Sequence, residues 1–179
     1  MKRIALILLL ASVSLLFTTC KKTKEKADEI TEFDIDYSTT VSVPSNTISL
    51  NVPVDFTTPD VPTQSSSKFA LNKTTQGLVD YIKLTRFNIS VGTGNLDFLK
   101  SLSIFIKASG MGETLVASKT SIPTGITTVA MDLQDVNIKD YIFLPNVQFR
   151  VNVVIDASTL AGQTLIMDET VHVKATIVK

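Results

Sequence analysis

Apolar and polar residues alternate one by one through run after run of this chain, and that spacing limits how the apolar ones can be buried. From Phe33 the odd positions Phe33, Ile35, Tyr37, Thr39, Val41 and Val43 face one way, and Asp34, Asp36, Ser38, Thr40 and Ser42 face the other. A period of two is that of a half-buried β-strand, because successive side chains leave opposite faces of the pleat. Ile48, Leu50, Val52, Val54 and Phe56 repeat the pattern, with Pro53 on the polar side. Proline has no N–H for the ladder, so this run is expected at a sheet edge or broken. Ile82 and Leu84 are followed by Phe87, Ile89 and Val91; the phase slips by one at Thr85-Arg86, which predicts a bulge. Leu102 to Ala108, Thr114 to Ser118, Val129 to Leu133, Val147 to Ala157 and Leu165 to Ile177 supply further runs. About eight strands without a βαβ rhythm predict an all-β fold over residues 33–179. Two packed antiparallel sheets bury so many single faces, so the expectation is a β-sandwich of immunoglobulin or fibronectin general type. The Cys and Trp marks of antibody domains are absent.

Turn chemistry punctuates the runs. Pro44-Ser45-Asn46, Gly92-Thr93-Gly94-Asn95 and Gly110-Met111-Gly112 carry turn residues. Residues 57–68 (TTPDVPTQSSSK) read as a loop. Thr75 is placed to cap a short helix carrying Leu78, Val79 and Ile82. Leu96, Phe98 and Leu99 are expected to plug one end of the core, and Asn137 to cap a helical turn holding Ile138, Tyr141 and Ile142.

The first twenty residues have a different character. Lys2 and Arg3 precede a nearly unbroken apolar run from Ile4 to Phe17, the layout of a secretory signal. That run is too short to span a bilayer, which takes roughly 20 apolar residues. It closes on Phe17-Thr18-Thr19-Cys20, which resembles the lipobox of bacterial lipoproteins, although Phe17 and Thr19 stand where that family usually has Leu, Val or Ile and Gly, Ala or Ser. The resemblance implies cleavage before Cys20 and acylation of Cys20. It divides the chain into a signal peptide (1–19), a lipidated cysteine with a charged tether (20–32) and the β domain. Lys21, rather than Asp, after the cysteine resembles cargo sent to the outer membrane, so the expected place is the cell envelope. Residues 21–29 (KKTKEKADE) lack an apolar period and read as a solvated linker.

The segment order is also similar to a group of small Bacteroidetes-type lipoproteins of uncharacterised role. The likeness rests on Val52 to Pro62 (VPVDFTTPDVP), Leu96 to Ser101 (LDFLKS), Thr114 to Ala117 (TLVA) and Asp140-Tyr141-Ile142. It implies an envelope location and a β-sandwich, and brings no catalytic residue with it.

Removing residues 1–19 leaves 160 residues, enough for one domain with a real core. With Lys2 and Arg3 gone, 15 basic residues stand against 17 acidic ones, and no basic stripe suggests nucleic acid. Cys20 is the only cysteine, so no intrachain disulfide can form. His172, the only histidine, lies between Val171 and Val173 on the polar side of its strand and is expected to face solvent. No HExxH, GxSxG or zinc spacing occurs, and the glycines lie at turns rather than in a phosphate loop. Asp34 and Asp36 share one face, about 7 Å apart, but their neighbours offer a calcium ion only hydroxyls. With no Trp and three Tyr, the chain lacks the platforms of a dedicated sugar-binding module. The expectation is therefore a membrane-anchored, non-enzymatic module that takes a protein or envelope partner, without cofactor or metal. A subunit of a surface appendage is the alternative. A small hydrolase comes third and would need a pocket with a buried carboxylate or an activated Ser or Thr; a Ser-His-Asp arrangement is left open, because its members need not be close in sequence.

Overall fold

A computed structural model describes residues 29–45, 51–155 and 162–178. Ten strands form: β1 (Ile30–Val43), β2 (Pro53–Thr57), β3 (Val61–Pro62), β4 (Val79–Val91), β5 (Leu99–Lys107), β6 (Thr114–Lys119), β7 (Thr128–Ala130), β8 (Asp132–Leu133), β9 (Asn146–Ile155) and β10 (Gln163–Thr176). Two short helices, α1 (Ser65–Leu71) and α2 (Lys139–Ile142), and a 3-10 turn at Gln76–Leu78 complete the described elements. One sheet has the order β1-β10-β4-β7; the other runs β2-β9-β5-β6-β8, with β3 continuing the edge beside β9. Every pairing is antiparallel.

The expected antiparallel sandwich is present, and its strand order departs from the immunoglobulin arrangement, which keeps strands A, B, E and D in one sheet. Here the first and last strands pair with each other. Inside them β2 and β3 pair with β9, β4 with β7, and β5 with β6. This nested set is a long hairpin wound across two sheets, the jelly-roll topology. β8 is an added edge piece that Met131 links to β7 as the chain crosses between sheets.

The alternation explains the two layers. Ile82, Ile89, Leu102, Ile104, Ile106, Val151, Val153, Leu165, Met167 and Val173 are among the fully enclosed side chains. Phe87 of β4 meets Phe149 of β9 edge to face, with centroids 5.7 Å apart, and joins the sheets. The expected slip in β4 is real: Leu84 pairs with Val171 and Arg86 with Thr170, leaving Thr85 over. A second bulge, in β6, leaves Val116 over and turns Val116 and Ala117 inward together. Pro53 opens β2 on a sheet edge, as its missing N–H requires. That edge is broken at Thr58, whose backbone N–H donates to Phe149 O (2.9 Å) while its Oγ1 accepts the Phe149 N–H (2.9 Å).

Two expectations for the connections are corrected. Residues 57–68 are not all loop: they contain β3 and the first turn of α1. The helix expected after Thr75 is one 3-10 turn, Thr75 makes no side-chain cap, and Val79 and Ile82 belong to β4. Helix α1 is held by tertiary packing. Its Phe69, 1% exposed, lies edge-on to Phe33 and Phe143 with centroids 6.3 and 6.1 Å away, closing one end of the sandwich. Leu96, Phe98 and Leu99 are buried as expected. Ile48, Leu50 and Ala157 lie outside the described residues.

Candidate functional site

Cys20 lies outside the described residues, which begin at Glu29. Glu29 O accepts the Ile177 N–H (2.8 Å), and Ile30 sits opposite Thr176. Glu29, the first described residue, therefore lies at the end of the sandwich where β1 begins and β10 finishes. The same end gathers the segment after α1: the Thr74 hydroxyl donates to Thr176 O (2.6 Å), and the Val178 N–H donates to Lys73 O (2.8 Å). Side chains there are unusually bare for their type: Leu71 is 80% exposed, Ile30 58%, Val178 51% and Leu78 36%.

A cleft of about 650 Å³ opens between the β5–β6 turn and the start of β9. Its wall mixes Lys107, Asp60 and Glu113 with Met111, Leu144 and Val147. Tyr141 Oη lies 2.8 Å from both Gly112 O and Thr114 Oγ1, which fixes the turn. Gln148 donates to Asp60 Oδ1 (2.8 Å), and both line the cleft. Among the described residues no three His, Cys, Asp or Glu side chains come together in a way that could hold a metal ion.

The outer faces carry paired charge. His172 faces outward as expected; its Nδ1 is 2.8 Å from Asp34 and its Nε2 3.9 Å from Glu32. Asp36 instead accepts from the Thr170 hydroxyl (2.5 Å) and the Arg86 guanidinium (3.1 Å), and these two donors hold its carboxyl below the usual carboxylate range. Asp34 and Asp36 thus serve different partners. On the other sheet Arg150 stacks 3.9 Å over Phe105 and bonds Asp55 and Glu113, each at 2.7 Å. The Asn152 amide and then Arg150 lower the Asp55 carboxyl in the same way.

One carboxyl group was not anticipated from the sequence. Glu169 is 1% exposed, and neither of its oxygens has a hydrogen-bond partner among the described residues. It sits on β10 between its cross-strand neighbours Tyr37 of β1 and Phe87 of β4. Burial, with help from the nearby Asp168 charge and against Arg86, pushes its pKa up to about 8. Burial and Glu169 also push the Tyr37 phenol upward, and Tyr37 Oη donates to Thr63 O (2.8 Å). Glu169 lines neither this cleft nor the smaller one beside Pro62–Ser67. Its parity was the available signal, since it falls on the same face as Leu165, Met167, Val171 and Val173.

No protein-family model matches the chain, and no curated protein matches it. Among solved structures, one of turnip yellow mosaic virus is similar over 83% of this chain and 97% of its own, at 8% identity and a TM-score of 0.27. One of mud crab tombus-like virus is similar over 94% of this chain and 99% of its own, at 13% identity and a TM-score of 0.28. Likenesses this slight carry no argument about what the chain does.

Proposed function

We propose that this chain is a bacterial envelope lipoprotein, cut before Cys20, acylated on it and held at the outer membrane. Its jelly-roll body then docks a protein partner or another envelope component, and performs no reaction of its own. The observation that carries the reading is the hand-over from a basic start and apolar run to the lone Cys20. A charged stretch follows, and the first described strand starts at Ile30, so the body is tethered by one defined end. More than one acyl chain would hold firmly, since each buried methylene contributes about 0.8 kcal/mol. Fractionation of the Cys20→Ser variant tests this: it should leave the envelope in a carbonate wash, and a variant that still sediments with membranes refutes the anchor.

A second reading, a subunit of an envelope assembly, is favoured by the free edge of β1. All 14 residues of β1 pair with β10 without a bulge, and β1 pairs with no other described strand. The Ile177–Glu29 bond places hydrogen-bonded pairs on the odd positions, so the even residues turn N–H and C=O outward. A long unbroken edge is a template for strand addition. Two copies paired antiparallel about Tyr37 would set Glu32, Asp34 and Asp36 opposite Ser42, Thr40 and Ser38, carboxylate against hydroxyl. In sedimentation runs Thr40→Glu should then weaken self-association and Thr40→Lys strengthen it. A monomer at every concentration reached removes this reading.

A further inference from the structure

The described residues leave five large hydrophobic side chains exposed: Ile30, Val52, Leu71, Leu78 and Val178. A single exposed leucine or valine is ordinary. Their placement is not. Ile30 opens β1, and Val178 follows β10 and bonds Lys73, two positions after Leu71. Leu78 directly precedes Val79, which pairs with Ala175 near the end of β10. Four of the five therefore share one end of the sandwich, and Val52 lies at the other, beside the Asn51–Ile155 bond. The shared end is the one the chain from Cys20 enters. Eight residues, Lys21 to Asp28, separate Cys20 from Glu29. Even fully extended, at about 3.5 Å per residue, they keep that end within about 30 Å of the acylated residue.

We infer that this end is a bilayer-resting face, with Ile30, Leu71, Leu78 and Val178 entering the boundary between headgroups and acyl chains. The inference rests on the proposed acylation of Cys20. The lipid surface is the occupant the geometry favours because the tether holds it against these side chains at high effective concentration. Weak apolar contacts then suffice to orient the body, as they do for surface-lying apolar faces in general. The far end, with the Gly92–Asn95 turn, would point away from the membrane and present that turn to partners.

The test uses the mature lipidated chain in phosphatidylethanolamine–phosphatidylglycerol vesicles carrying lipids with a spin label on the acyl chain. Acylation blocks the Cys20 sulfur, so Leu71→Cys and Thr93→Cys each offer one thiol for a fluorophore. The label at 71 should be quenched several-fold more than the label at 93. Adding Ile30→Asp and Leu78→Asp to the Leu71→Cys chain should bring its quenching down to the level at 93. A chain that floats with the vesicles but shows equal quenching at both positions overturns the resting face and leaves the anchor standing. A chain that does not float, with its Cys20 open to thiol reagents, overturns the anchor and this inference with it.

Discussion

Replacing Glu169 should change how stability depends on pH more than any other single substitution. In the folded chain its pKa is about 8, against an ordinary value of 4.5 when exposed. Below pH 4.5 both folded and unfolded states hold the proton, and the group costs nothing through ionisation. Between 4.5 and 8 the unfolded chain releases the proton while the folded chain keeps it, so stability falls as pH rises. At 1.36 kcal/mol per pH unit the loss is about 3 kcal/mol by pH 7 and about 5 kcal/mol above pH 8. That is a large part of the 5–15 kcal/mol a domain typically has. The carboxyls held low, Asp36 and Asp55, are already ionised in this window, so they do not mask the effect. The assay is urea unfolding, followed by circular dichroism, at a series of pH values from 5 to 9. Glu169→Met removes the charge while keeping the length, and should flatten the decline and gain most at the alkaline end. Glu169→Gln should flatten it too, with a smaller gain, because its amide stays buried without a partner. Parallel curves for the wild type and both variants would refute the claim that Glu169 is folded in its protonated form.

Other substitutions probe the ends and edges of the sandwich. Phe69→Ala should cost about 3–5 kcal/mol in the same unfolding assay, because it empties the plug between Phe33 and Phe143. Thr58→Val keeps the shape but leaves the buried Phe149 N–H without its acceptor, and should cost about 1–3 kcal/mol. Asp55→Ala, on a half-exposed pair with Arg150, should cost about 1 kcal/mol or less, and that cost should shrink further in salt.

The period of two sets which side each strand buries, and it marks the β4 bulge at Thr85-Arg86 and the edge at Pro53 without reference to any pairing. It could not name neighbours. β1 and β10 pair along their whole length from opposite ends of the chain. Every alternating strand offers the same kind of apolar face, so nothing local in Phe33 to Val43 specifies Leu165 to Val173 as its partner. The jelly-roll order is a property of the wound hairpin, not of any one run. Helix α1 has no signature in the sequence, because SSSKFAL has one buried anchor of weight, Phe69, and no amphipathic repeat. Its ordering comes from what Phe69 touches. Glu169 is hard to read from sequence because a charged residue inside an apolar phase looks like an interruption, although β10 carries no extra residue there and keeps its parity. Cys20 is a reading of the motif alone, since it lies outside the described residues. The apolar end around Ile30, Leu71, Leu78 and Val178 is not legible in the sequence, since these residues are scattered in sequence and meet only when β1, β4 and β10 align.

The most direct measurement is mass spectrometry of the N-terminal peptide of the protein taken from its own membrane. The account predicts that the peptide starts at Cys20 and carries acyl groups on it. A peptide that starts elsewhere, or one with an unmodified Cys20 thiol, would contradict it.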